Sequence, residues 1–326
     1  MISRVAESCF WLHRYLERME NTARMLEVNH WFLMDIHLPR HERWRPVLIV
    51  AGEQPRFDAA FGTSASENGE DVQRYLTWDE ECPVAIRTSL RGARENARTI
   101  RDTISHEMWE ALNGLWIWAE SSAARRLYEK DRTAFYAHVK ESCQLFMGLC
   151  HNTMLHEEPF DFMRLGMLLE RAGQTARILD VKHHQLGNGS SGHEGPADLA
   201  QWIAILRACS AYESFFRRSR GLVTGRAVAE FLLLEPAFPR TVLHCLDRAW
   251  NFLRRIRPRE PAHVGAHSAA LLSRLLDSLK GRTMAELLEK DIHQELTRVI
   301  DDASAVCLAI HEDYFDPALP AAMGAP

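Results

Sequence analysis

The chain has 326 residues, 46% hydrophobic and 25% charged, with a formal net charge of −5, enough to bury a sizeable core in one large domain or two and without the basic excess of nucleic-acid binders. The opening MISRVAESCFWL has no basic stretch leading into a long apolar run, so no secretory signal is expected, and no segment reaches the ~18 uncharged apolar residues of a membrane span. The seven cysteines (Cys9, Cys82, Cys143, Cys150, Cys209, Cys245, Cys307) are scattered, odd in number and free of C-x-x-C, which points to buried thiols in a reducing cytoplasm and not to a disulfide framework or a zinc site.

The first segment reads as one long helix. Val5, Cys9, Leu12, Leu16, Met19, Ala23, Leu26, His30 and Leu33 recur at alternating spacings of four and three, the period of an apolar helix face, with Ser3 as N-cap. The polar, proline-bearing stretch from Pro39 to Asn68 predicts loops with short helices. Ile86, Leu90, Ala93, Ala97, Ile100 and Ile104 mark a helix beginning near Pro83. Helical patterns continue over 105–126, 132–154, 159–186, 196–220, 224–234, 239–256, 266–280 and 284–313. GNGSSGHEGP (187–196) reads as a flexible loop, and the tail from Pro317 as disordered. No strand alternation stands out, so the expected fold is an all-α helical bundle.

One pattern repeats. WLHRYLERMENTARMLEVNH (11–30) aligns without a gap on RLGMLLERAGQTARILDVKH (164–183) at an offset of 153. Glu17, Arg18, Thr22, Ala23 and Arg24 recur as Glu170, Arg171, Thr175, Ala176 and Arg177. A second anchor lies at an offset of 156, where Leu76, Pro83, Leu90, Ala93, Arg98, Ile100 and Arg101 recur as Leu232, Pro239, Leu246, Ala249, Arg254, Ile256 and Arg257. Chance similarity between amphipathic helices explains matched apolar positions, but not matched proline and arginine. The expectation is a tandem duplication: units 1–154 and 155–316 share one core about a pseudo-twofold axis, followed by the tail 317–326.

Three charged constellations follow. Glu17, Asn21 and Arg24 line one helix stripe at i, i+4 and i+7, as do Glu170, Gln174 and Arg177. That stripe is open to three readings: a solvated face, a buried network fixing how the halves dock, or a ligand site at the axis. Arg87, Arg91, Arg94, Arg98 and Arg101 run along one helix edge; like charges at that spacing repel, so they need carboxylates (Glu17, Glu170, or Glu107, Glu110 and Glu120) or an anionic ligand held by their planar forks. Glu27–His30 and Asp180–His183 are acid–histidine pairs of the kind that hold di-iron centres. However, His30 falls on the apolar seam, where a core histidine is expected, and Glu17 lies about 280° around the helix from Glu27. Cys150 near His151 and His156 is read as packing. No nucleophile elbow, P-loop or dinucleotide fingerprint is present.

SRVAESCFWLHRYLERMENTARML (3–26), RGARENARTIRDTISHEMWEALN (91–113), MLLERAGQTARILDVKHH (167–184) and VAEFLLLEPAFPR (228–240) resemble the alpha-E domain family, bacterial helical proteins named for a repeated Glu-Arg motif. The resemblance spans nearly the whole chain and rests on Glu17, Arg18, Arg24, Arg94, Glu95, Asn96, Arg98, Glu170, Arg171 and Arg177, with Gly173-Gln174 a mild local variation. It implies companionship with circularly permuted ATP-grasp ligases and transglutaminase-like proteases that make or modify a peptide or amide-linked small molecule.

The resulting expectation is a cytoplasmic helical protein with a polar Glu/Arg cleft and no cofactor or metal. Arg94, Arg98 and Arg101 would hold a carboxylate or phosphate, and Glu17 and Glu170 would orient those arginines or a substrate amine. Arg18 and Arg171 would brace the junction, with Asn21, Arg24, Asn96 and Arg177 also contacting the ligand. Glu17 or Glu95 would be the general base. The competing expectations are a non-enzymatic scaffold for partner docking and a di-iron bundle.

Overall fold

A computed structural model of the chain describes residues 3–182, 195–219, 223–256, 265–288 and 291–316. Every regular element among them is helical. Two long helices, α1 (Ser3–Asp35) and α10 (Glu158–Asp180), pack directly against each other at the centre. Between them run α2 (Arg40–Arg43), α3 (Arg45–Ala51), α4 (Gln54–Phe61), a short 3-10 turn (Thr63–Glu67), α5 (Gly69–Trp78), α6 (Ile86–Thr99), α7 (His106–Ala119), α8 (Ser122–Lys130) and α9 (Arg132–Thr153). After α10 come α11 (Pro196–Ala208), α12 (Tyr212–Arg218), α13 (Gly225–Leu234), α14 (Val242–Arg255), α15 (Ala266–Leu279), α16 (Met284–Leu288) and α17 (Ile292–Ile310), which closes in a π-turn (His311–Phe315).

The surrounding helices fall into matching sets. α6 and α9 flank α1, while α14 and α17 flank α10. α7 leans on α6 and α9; α15 leans on α14 and α17. The central helices also exchange neighbours, α3 packing on α10 and α11 on α1. Cys9, Leu12, Leu16, Met19, Ala23 and Leu26 of α1 are all buried, as are Leu165, Leu169, Ala172, Ala176 and Leu179 of α10, and they join one contiguous apolar core. That core orders the long helices, since an apolar stripe at helical spacing holds a helix mainly through what it packs against.

The helix boundaries depart from the periodicity at three points, two of them marked by a polar cap. The stretch 105–126 divides at Ser121, whose hydroxyl accepts from the Ala124 N–H and starts α8. The stretch 196–220 divides where Ser210 takes a left-handed φ of 51°. α17 starts anew at Asp291, which accepts from the His293 N–H. Such caps stabilise a new helix start without disturbing the apolar period around them. α6 ends at Thr99, so Arg101 lies in the turn beyond it. α1 outruns its core: its buried residues stop at Leu26, and His30 is partly exposed and set edge-on to Trp31, so it is not the core histidine its register suggested. The loop expected at 187–196 lies outside the described residues except at its last two positions, and the tail 317–326 lies outside them entirely.

Candidate functional site

The site forms where α1 and α10 cross. Gly166 makes the approach possible, because a Cβ there would run into the carbonyl oxygen of Phe10. One turn further along, each helix presents its Glu-Arg pair to the other. Arg171 donates to both oxygens of Glu17, through Nε at 2.8 Å and Nη2 at 2.6 Å. Arg18 donates to both oxygens of Glu170, through Nε at 2.7 Å and Nη2 at 3.1 Å. The two bidentate pairs are reciprocal. A further turn on, Thr22 donates to the carbonyl of Val84 at 3.3 Å and Thr175 to the carbonyl of Arg240 at 2.9 Å, tying each long helix to the segment ahead of its flanking helix. Planar forks facing carboxylates give strong, geometrically specific bonds. Glu-Arg at adjacent positions is suited to this geometry, since one residue can receive from the facing helix while the next donates to it.

The Glu17 end is closed. Glu17 is fully buried and also takes Arg240 Nη1 at 2.9 Å and Asn21 Nδ2 at 3.2 Å. Arg240 further bonds Asn21 Oδ1 at 3.1 Å and Glu20 at 2.9 Å. Glu20 is paired with Arg24 and approached by Gln144 at 3.3 Å. Burial alone would raise the Glu17 pKa, but Arg171 and Arg240 overcome it and hold the carboxyl far below the usual range. A general base works best with a pKa near the working pH. Glu17 is shifted the other way, with both oxygens occupied by arginine. Nearby, His13 is fully buried, and neither ring nitrogen meets a hydrogen-bond partner among the described residues. Burial and the neighbouring Arg164 push its pKa down to about 3, so the ring is neutral.

The Glu170 end is open. Arg14 adds a bond to Glu170 at 2.9 Å. Burial would raise the Glu170 pKa, yet Arg18 and Arg14 bring it down to about 2. Beside this cluster lies a cavity of about 270 Å³, walled by Arg14, Arg18, Glu170, Gln174 and Arg177, with Met25, Ala51, Pro83 and Val84 on the apolar side. Arg177 makes no hydrogen bond or ion pair with any described residue, and burial pushes its pKa down.

The arginines of α6 do not join this junction. Arg87 holds Glu120 and Glu80, and Arg91 approaches Glu80 at 3.5 Å. Arg94 bonds Asn113 at 2.9 Å and Glu95 at 3.1 Å, beside Trp109 and Trp116. Arg98 bonds Glu95 at 2.9 Å on the surface. Arg101 contacts His106 at 2.9 Å over the Trp109 ring. The Asn96 amide donates back to the Gly92 carbonyl at 2.8 Å. Glu17 and Glu170 are thus oriented by arginines of the facing long helix, by Arg14 and by Arg240, and not by the 87–101 stripe. Glu95 is a half-exposed surface partner of two arginines. Sequence reasoning missed Arg14, Glu20 and Arg240, because none recurs at its matching position.

Among the described residues no group of three His, Cys, Asp or Glu side chains could hold a metal. Glu27 pairs with Lys140 and Asp180 with His293, and His183 lies outside the described residues. Cys150 is buried against the Met154 and Met163 sulfurs, and burial pushes its thiol up to about 12, so it is not an activated nucleophile.

The family model Alpha-E, described as "a predicted alpha-helical domain with a conserved ER motif", matches residues 1–315. An uncharacterized protein of Mycobacterium bovis is 27% identical over 338 residues, covering 94% of this chain and 37% of the relative. One from Mycobacterium tuberculosis is 26% identical with the same coverage. The chain therefore spans little more than a third of the length of these relatives. No solved structure matches.

Proposed function

The chain belongs to the Alpha-E family, and from that premise we propose that it is a helical accessory protein whose Glu/Arg cleft binds an anionic or peptide-like group. In this reading it acts with an ATP-grasp-type ligase, and with a transglutaminase-like protease, in making or modifying a peptide or amide-linked small molecule. The observation that carries the binding role is the arginine-lined cavity at the Glu170 end of the junction. The chain's two Glu-Arg pairs build that junction, so binding and fold would share residues. The greater part of each mycobacterial relative lies outside the matched region, which suits a unit that works attached to other modules.

The same reading takes the chain as a duplicated unit, 1–154 and 155–316, about a pseudo-twofold axis at the junction. Its support is the offset: α5 and α13, and α6 and α14, start and end 156 residues apart, and the two Glu-Arg pairs are reciprocal. A cytoplasmic location is proposed from the cysteines, all free and six of them buried; among the described residues no helix is long and apolar enough to cross a membrane.

A second reading, a non-catalytic docking scaffold, is favoured by one observation: at the Glu17 end every carboxylate is already matched by arginine. Co-expression with an ATP-grasp ligase from the same genome tests the proposal. Co-elution, with ATP turnover that depends on this chain, is expected. Separate elution and unchanged ATP turnover would contradict the ligase role. A complex whose turnover is indifferent to Arg177→Met would favour the scaffold.

A further inference from the structure

Two substitutions separate the ends of the junction. At the offset of 153, Gly173 on α10 stands where Glu20 stands on α1. At the offset of 156, Val84 stands where Arg240 stands. At the Glu17 end, Glu20 neutralises Arg24 and Arg240, and the Arg240 side chain fills the space beside Glu17. At the Glu170 end both side chains are missing. Arg177, the counterpart of Arg24, has no carboxylate, and the short Val84 leaves a space of about 270 Å³. Arg14 adds a cation where the α10 counterpart is Met167.

Charge and donors then fail to balance. Three guanidiniums, Arg14, Arg18 and Arg177, face one carboxylate, Glu170. Glu170 uses both oxygens on Arg14 and Arg18. The Nη1 groups of Arg14 and Arg18, the whole Arg177 fork and the Gln174 amide donate to no described residue, yet all four side chains line the cavity. Arg14 and Arg18 are only 14% and 19% exposed, and cations so largely shielded from water favour a counter-charge; the excess here is two positive charges.

We infer that the cavity between Arg14, Arg18, Gln174 and Arg177 binds a dianionic oxyanion group, a phosphoryl group or a dicarboxylate. Guanidinium forks accept either geometry. The volume lies below the ~300–1,000 Å³ of sites for drug-sized ligands, so the cavity takes an anionic head group and not a whole peptide. Met25, Ala51, Pro83 and Val84 form an apolar wall for the carbon stem that carries it. The inference deepens the cleft reading by naming its ligand class. Its test needs no ligase, so a failed partner experiment and a failed binding experiment remain distinguishable.

The full chain is titrated calorimetrically with inorganic phosphate and, separately, with succinate, against sodium chloride at matched ionic strength. The variants are Arg177→Met and Gly173→Glu. Gly173→Glu restores the carboxylate that α1 has at Glu20, the Cβ at 173 meets only Arg177 Nη1 within 4 Å among the described residues, at 3.8 Å, and a thermal melt of the variant confirms that it folds. At least one probe should bind with a Kd of about 1 mM or tighter, and both variants should weaken it about tenfold or more. Phosphate alone would indicate a phosphoryl ligand; succinate alone, a dicarboxylate. Neither probe binding beyond the chloride control, or Gly173→Glu binding as well as wild type, would overturn the inference.

Discussion

Arg171 grips both oxygens of Glu17 from the opposite long helix, and the next residue after Glu17, Arg18, returns the grip on Glu170. Each carboxylate is buried and each guanidinium nearly so. Such pairs contribute modest net stability when intact, but breaking one is expensive because the survivor stays buried and uncompensated.

Glu17→Gln should therefore lower unfolding stability by about 3–5 kcal/mol, since it leaves Arg171 and Arg240 facing a neutral amide. Urea denaturation reads this directly. A loss under about 1 kcal/mol, the scale of an exposed pair, would mean the Glu17 end is hydrated and not sealed.

Arg98→Gln should behave in the opposite way. Its side chain is 68% exposed and, among the described residues, bonds only Glu95 on its own helix. Stability should stay within about 0.5 kcal/mol of wild type, checked by the same denaturation curves. A larger loss would show that Arg98 has a buried partner.

These contrasts show what was legible in the sequence. Glu17, Arg18, Glu170 and Arg171 stand out in the sequence because each recurs at one offset, which surface residues have no reason to do; which glutamate meets which arginine does not, because the offset says nothing of how the two helices face each other. The arginine stripe of α6 was over-read. Its spacing demanded carboxylates, but Glu80, Glu95 and Glu120 supply them on the surface, and spacing alone does not tell a surface acid from a buried one. Of the three glutamates expected in the 105–120 helix and its cap, among the described residues only Glu120 takes an arginine of the stripe, Arg87; Arg94 and Arg101 reach Asn113 and His106 there instead. Arg14, Glu20 and Arg240 escaped notice because they differ between the two matched stretches. The Gly173-Gln174 variation, which looked mild, stands where the cavity opens.

The two glycines of α10 should respond with opposite signs. Gly173→Ala should stabilise by about 0.5–1 kcal/mol, because alanine is the better helix former and the site has room. Gly166→Ala should destabilise, because its Cβ would collide with the Phe10 carbonyl and push α1 from α10. Thermal melts of the two single variants make the comparison. A stable Gly166→Ala would place the helix crossing elsewhere.

Stability should fall with acid in two stages. Free His13 protonates near 6.5 in the unfolded chain but near 3 when buried. Glu170 protonates near 4.5 unfolded and about 2 folded. Below each unfolded value the unfolded chain binds more protons, so stability drops as pH falls towards the folded value. His13→Leu should remove the slope that begins near 6.5, and Glu170→Gln should reduce the one that begins near 4.5, to which Glu17 also contributes. Each variant's urea midpoint against pH is the check. A His13→Leu profile parallel to wild type between pH 6.5 and about 3 would show that His13 is hydrated.

The central claim is that the reciprocal Glu-Arg pairs couple α1 to α10 directly. A double-mutant cycle on Arg18→Met and Glu170→Leu, measured by urea unfolding at neutral pH, tests it most closely. The two residues share bidentate bonds at 2.7 and 3.1 Å, so the coupling energy should be about 1–3 kcal/mol. Effects that simply add, within about 0.5 kcal/mol, would mean that the two residues do not interact in the folded protein and would contradict the claim.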